Sequence, residues 1–234
     1  MVRSVTFDGL KVILRSGVYP PNRSSLVLLR GLFNVASGIA IDVGCGSGVL
    51  SMGAARRGFT LIVASDLSYR AVKTAKENSA LNGLSWAIDH VVGDSLSFFR
   101  RNAADLIVFN PPMTPSIEPV PLYTWGGRDG AEVVRRVMRE VDKVLKRGGT
   151  FLFTLCSTIG NSYVDGLESM GYSVTVIDYY IERASRLIVR RMNLIRELRD
   201  ASLVYINGMP HIRVIGFSAS KRELLTHAQT SSRA

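Results

Sequence analysis

Four stretches of the chain are apolar at nearly every position: Gly38-Ile39-Ala40-Ile41-Asp42-Val43-Gly44, Thr60-Leu61-Ile62-Val63-Ala64-Ser65-Asp66, Ala104-Asp105-Leu106-Ile107-Val108-Phe109-Asn110 and Thr150-Phe151-Leu152-Phe153-Thr154-Leu155. A strand with one wet face alternates polar and apolar residues. Short β-rich runs that do not alternate suit strands covered on both faces, as in a parallel sheet. His90-Val91-Val92 reads as a shorter strand of the same kind. Between these runs the period changes. Val49 to Arg57 reads as a helix, and Ser68 to Leu81 as another that stops at Asn82-Gly83. In Ala131 to Lys146, the apolar residues Val133, Val134, Val137, Met138, Val141, Val144 and Leu145 share one helical face, with Gly148-Gly149 as the expected stop. Alternation of strand and helix predicts an α/β fold built on a doubly wound sheet.

The pattern loosens toward the C-terminus. Tyr172 to Tyr180 reads as a strand, with Ser185 to Arg191 as its expected partner. Residues 1–192 read as one domain and residues 193–234 as an extension. Within the extension, Ser202–Ile206 and His211–Ile215 frame the turn signal Asn207-Gly208-Met209-Pro210, which suggests a β-hairpin. The polar last dozen residues are expected to fray.

Composition narrows the classes. With 234 residues, 47% hydrophobic and 21% charged, the chain is globular in character. No uncharged apolar run reaches the roughly 18 residues of a membrane span, and the opening Met1-Val2-Arg3-Ser4 carries no secretory pattern. Cys45 and Cys156 form neither a disulfide framework nor a metal cluster, so a cytoplasmic home is expected. The net charge of +10 fits an anionic neighbourhood, RNA or the ribosome, and equally a solvated basic surface. The same choice attends the Arg-rich stretch of Arg183, Arg186, Arg190, Arg191, Arg196 and Arg199.

Candidate chemistry lies at the ends of the apolar runs. Asp42-Val43-Gly44-Cys45-Gly46-Ser47-Gly48 follows a strand and opens a helix, and its glycines allow a sharp turn and close approach of a ligand. The spacing is G-x-G-x-G, unlike the G-x-G-x-x-G of dinucleotide binders, and a pyrophosphate would be repelled by Asp42. A ligand bearing an ammonium and a sulfonium would not. Asp66, 18 residues past Gly48, suits either the hydroxyls of a ribose or the cap of the next helix. Asp94, followed by Ser95, suits either an adenine amino group or a local turn.

Asn110-Pro111-Pro112-Met113 is the most informative stretch. Asn offers a carbonyl acceptor and an amide donor, and proline removes competing N–H groups while fixing the backbone. The Asn110 side-chain oxygen and the Pro111 carbonyl form a pair of fixed acceptors able to hold an –NH2 group. A planar nitrogen is a poor nucleophile, so orientation and proximity are what a protein can contribute, worth about 7–11 kcal/mol at best.

These motifs in this order resemble the class I S-adenosylmethionine-dependent methyltransferases. Asn110-Pro111-Pro112-Met113-Thr114-Pro115, then Trp125-Gly126-Gly127-Arg128-Asp129-Gly130, and upstream Val18-Tyr19-Pro20-Pro21 with Ser25-Leu26-Val27-Leu28-Leu29, resemble the HemK-type release-factor glutamine methyltransferases of the archaeal and eukaryotic branch. The resemblance spans roughly residues 12 to 192. It implies a Rossmann-like, mostly parallel seven-stranded sheet with helices on both faces, and S-adenosylmethionine as cofactor. It assigns Ser25, Asp42, Gly44, Asp66 and Asp94 to cofactor binding and Asn110 to holding the substrate amide. The motifs themselves add Cys45, Gly46, Gly48, Leu67, Ser95 and Asn110 as candidate cofactor contacts, and Asn110, Pro111, Pro112 and Met113 as the candidate catalytic turn. The resemblance also implies a translation release factor as substrate and a small zinc-binding activator subunit as partner. Two positions depart from the family pattern: Arg23-Ser24 stand where two acids are usual, and Met113 stands where a tyrosine is usual. An aromatic there would stack on a flat substrate, and methionine is a weaker platform. The alternative activity is methylation of a nucleic-acid amine, adenine N6 or guanine N2.

Overall fold

All four doubly apolar runs become strands of one sheet. A computed structural model of the chain describes residues 3–35, 38–118, 120–197 and 201–221. In chain order the elements are β1 (Arg3–Phe7), β2 (Leu10–Leu14), α1 (Arg23–Gly31), β3 (Ile39–Val43), α2 (Val49–Arg56), β4 (Leu61–Asp66), α3 (Tyr69–Leu81), β5 (Ile88–Val92), β6 (Ala104–Phe109), α4 (Glu132–Val144), β7 (Leu145–Cys156), α5 (Ser162–Ser169), β8 (Tyr172–Arg183), α6 (Arg186–Arg190), α7 (Met192–Glu197), β9 (Val204–Ile206) and β10 (Met209–Lys221). The central sheet runs β5-β4-β3-β6-β7-β10-β8, with β9 paired to β10 as an eighth strand. Strands β3 to β7 are parallel, and β10 is antiparallel to both of its long neighbours.

Alternate residues of the doubly buried strands feed two cores. Ala40 of β3 and Leu106 and Val108 of β6 face α1, α2 and α3, in a core with Leu28, Met52, Phe59 and Ala75. Ile41 and Val43, and Ile107 and Phe109, face the opposite side, against Val134, Val137, Val141 and Val144 of α4. Phe109, Phe151, Phe153 and Phe217 continue that core as a row of stacked rings across three strands.

Several expectations change, and the sheet has eight strands where seven were expected. The helix beginning at residue 132 ends at Val144, not at the glycines: Leu145 is already extended and pairs with Ala104, and Gly148 lies within β7 at φ +72°. Ser185 to Arg191 is no strand. Ser185 accepts the Ile188 amide at 3.3 Å, which starts the short helix α6. The partner of β8 is instead β10, paired from His211–Arg183 to Lys221–Tyr172. Residues 209–221, assigned by sequence to an extension, therefore form the strand between β7 and β8. The turn before them is the two-residue Asn207-Gly208, both at positive φ, and Met209 and Pro210 already belong to β10. The expected frayed tail lies outside the described residues, apart from its neighbour Lys221, as does Arg199.

Candidate active site

The order of the sheet reverses between β3 and β6, and open α/β sheets bind ligands outside the carboxyl ends of their strands at such a point. A cavity of about 260 Å³ opens there. Its walls come from the turns after β3, β4, β5 and β6, from the segment before α1, and from the loop leading to α4.

The turn after β3 contains three glycines at positive φ, but they do different work. A side chain at Gly44 would meet nothing within 4 Å, so its absence leaves open space in the cavity wall. Gly46 also lines the cavity. Gly48 does not: a Cβ there would stand 2.9 Å from that of Ala75, so this glycine lets α2 and α3 approach. Ser47 and Cys45 complete the turn, both buried and both on the wall.

Asp42 lies behind this turn, 2% exposed and off the cavity wall. Its Oδ2 accepts both the Ser51 amide, at 2.9 Å, and the Ser51 hydroxyl, which ties β3 to the first turn of α2. Its Oδ1 is buried with no hydrogen-bond partner among the described residues. Burial pushes the carboxyl up to about 6, against the two Ser51 hydrogen bonds that favour the charged form.

Asp66 reaches the wall at the end of β4. Its Oδ2 accepts the Gly46 amide at 3.0 Å and its Oδ1 accepts the Ser68 amide at 2.8 Å. It braces the glycine turn and the start of α3, whose N-cap is Ser68, while each oxygen keeps a lone pair for a ligand. Burial raises its pKa above the usual carboxylate value. Leu67, 56% exposed, flanks it. At the end of β5, Asp94 and Ser95 line the cavity, and Asp94 receives Arg136 of α4 through contacts of 2.7 and 2.9 Å. Arg136 also lies 3.6 Å from Glu132.

Ser25 reaches the wall from α1. Asn22 and Ser25 form a reciprocal capping box, with Ser25 third in the helix. From β6, Asn110 and Pro112 reach the wall, while Pro111 is buried behind them. The Thr154 hydroxyl of β7 donates to Asn110 Oδ1 at 2.9 Å, which fixes the amide and leaves one lone pair of that oxygen free.

Met113 points elsewhere. Its Sδ accepts the Cys156 amide at 3.1 Å, and the side chain joins a small apolar cluster with Tyr180 and Val214. The aromatic surface missing at position 113 comes from two residues that sequence reasoning gave no role. Tyr19 and Tyr123 both line the cavity with ring centroids 5.7 Å apart and planes tilted by 41°. Asn22 Nδ2 donates to the Tyr19 hydroxyl at 2.7 Å, and burial raises the phenol pKa. Trp125 joins them; its Nε1 donates to the Ser116 carbonyl at 3.1 Å, and Gly126 donates to the Thr114 carbonyl at 3.0 Å. The Trp125–Gly130 stretch thus folds back on the Asn110–Pro115 stretch and closes the site. No signal short of the tertiary fold pairs Tyr19 with Tyr123, 104 positions apart.

The family model of the methyltransferase small domain matches residues 9–177. The chain belongs to this methyltransferase family. A protein of Methanocaldococcus jannaschii, provisionally named as a protein N5-glutamine methyltransferase, is 30% identical over 186 residues, 74% of this chain and 89% of that one. A release factor glutamine methyltransferase of Deinococcus radiodurans is 31% identical over 147 residues, 58% of this chain and 52% of that one. Ribosomal protein L11 methyltransferases are similar too: that of Syntrophomonas wolfei is 37% identical over 111 residues, 47% of this chain and 30% of its own length. The solved L11 methylase of Lactobacillus delbrueckii shares the fold, with a TM-score of 0.56, 20% identity, and 88% of this chain and 82% of that one covered. Family and fold make this methyltransferase S-adenosylmethionine-dependent. Among the described residues, no group of three His, Cys, Asp or Glu is placed to hold a metal, and no helix is long and apolar enough to cross a membrane.

Proposed function

We propose that this methyltransferase methylates the side-chain amide nitrogen of a glutamine in a protein, with a translation release factor as the substrate. The observation that carries the reading is the Asn110 amide, fixed by Thr154 in the cavity wall beside Pro112 and close in sequence to the aromatic lining at Tyr123 and Trp125. The similarity to glutamine methyltransferases supports it.

The residues present fit S-adenosylmethionine. The open cradle at Gly44 and Gly46 admits close approach, Asp66 offers lone pairs to ribose hydroxyls, and Asp94 with Ser95 closes the adenine end. Asp42 acts from behind, holding the glycine turn and α2 in register. When bound, the cofactor supplies an electrophilic methyl group. Asn110 then accepts one N–H of the substrate amide through its free lone pair, and the nitrogen is held facing the cofactor side. Tyr19, Tyr123 and Trp125 flank the flat amide. No strong base is required before transfer, because the amide proton becomes acidic only once the nitrogen carries the new methyl group, and it then leaves to solvent.

The deciding experiment offers labelled S-adenosylmethionine to the enzyme with recombinant release factor, ribosomal protein L11 and total RNA in parallel, each with and without the small zinc-binding subunit. The expected result is label in release factor alone, abolished by changing a single glutamine to alanine. Label confined to L11 or to RNA overturns the assignment.

A further inference from the structure

The arginines of residues 183–196 divide into two groups. Arg191 turns inward with its side chain 12% exposed; Nη2 lies 2.8 Å from Glu118 and donates to the Ser116 hydroxyl at 3.4 Å. Arg183, Arg186, Arg190 and Arg196 stay exposed, and among the described residues none of the four makes an ion pair. Arg186 and Arg190 stand one turn apart on α6, so their side chains repel one another on the same face. A solvated helix face normally intersperses signs. A five-residue helix that spends stability on like charges points to an anionic occupant.

The surroundings define which one. Tyr205, 51% exposed on β9, accepts a hydrogen bond from Arg196 at 3.3 Å, and His211 of β10 pairs with Arg183 of β8. The patch is seated, not trailing: Ala184, Ile188 and Ile195 are buried together against Leu203 and Ile212. Arg191 anchors it to Ser116, whose carbonyl receives Trp125 of the cavity wall. The arginine face therefore adjoins the loop that closes the site.

We propose that this face docks the phosphate backbone of RNA beside the cavity mouth. Arginines interleaved with an exposed tyrosine and a histidine match the contacts of RNA, phosphate pairing plus stacking of unpaired bases, better than those of an acidic polypeptide, which offers carboxylates but no flat rings. The net charge of +10 adds long-range attraction of the same sign. RNA is held here as a docking partner, whichever group accepts the methyl.

The test is binding of a fluorescein-labelled single-stranded RNA of mixed sequence to the full chain, followed by anisotropy across a salt series. Four phosphate contacts contribute a slope of about −3 in log K against log salt, so R183A/R186A/R190A/R196A should flatten the wild-type slope by about three and weaken binding at low salt by about 10-fold or more. The fourfold lysine variant should restore most of the affinity, which separates lost charge from lost folding. Removing four charges elsewhere, K73A/K76A/R100A/R101A, should leave Kd within about 3-fold if the face is specific. Equal losses from the two fourfold alanine variants, wild-type binding by the first, or binding of polyglutamate in place of RNA would each overturn the proposal. Because methyl transfer is not read, these outcomes are independent of the glutamine assignment.

Discussion

Single residues divide the site into groups that touch ligands and groups that hold those groups in place. Asn110→Ala removes the amide that orients the acceptor nitrogen, and misplaced geometry alone costs on the order of 100-fold, so kcat should fall by about that factor or more while the Kd for S-adenosylmethionine, read by calorimetry, stays near wild type. Asp66→Ala should act on the cofactor instead, raising its Kd by roughly 10- to 100-fold, the worth of hydrogen bonds to a charged group. Matching behaviour of the two variants would refute the division. At Tyr123, removing the ring should raise KM by about 2- to 10-fold with kcat little changed, and Tyr123→Phe should behave as wild type, because aromatic contact and not the hydroxyl is used. Asp42 offers a pH signature. Burial holds its carboxyl up at about 6 in the folded chain, above the ordinary aspartate value of 3.8, so the native state keeps its proton longer than the unfolded one. Stability should therefore fall as pH rises from about 4 to about 6, by about 3 kcal/mol, and that slope should vanish in Asp42→Asn when urea midpoints are compared.

Elements owe their positions to a few local devices, and some were visible in the chain. The apolar runs identified β3, β4 and β6 to within a residue or two, because a strand buried on both faces must be apolar throughout. The N-terminal hairpin went unassigned in the sequence, although Asp8-Gly9 between two alternating segments is a local signal for it, and both residues adopt positive φ. Ser185 to Arg191 misled because β-branched residues in a short window suit a strand and a helix alike, and a cap 3.3 Å from the Ile188 amide decides between them. The α1 capping box makes a further test: Asn22→Ala should cost about 1 kcal/mol of stability in thermal unfolding, with some loss of activity because Ser25 and Tyr19 both lean on Asn22.

At the scale of the whole molecule, β10 joins β8 to the rest of the sheet. β10 lies between β7 and β8, with Val214, Phe217 and Ala219 buried. Ending the chain at residue 192 would expose those apolar faces and leave the β7 edge unpaired, so the truncated protein should be insoluble or unfolded by circular dichroism, not a trimmed and active domain. The four turns of the site come from strands β3 to β6, adjacent in the sheet and far apart in the chain, which is why the cavity forms only when the sheet does.

Sequence alone determined the α/β class, the glycine turn, the strand-end acids and the Asn-Pro-Pro acceptor, because burial on both faces, positive φ and proline restriction each leave a local trace in residue type. The tertiary structure decided what those traces cannot carry: that Asp42 and Gly48 work behind the wall, that Met113 turns toward Cys156, that Tyr19 and Tyr123 meet across the cavity, and that β10 completes the sheet. Each depends on contacts between residues distant in the chain, and packing, not local propensity, sets such contacts.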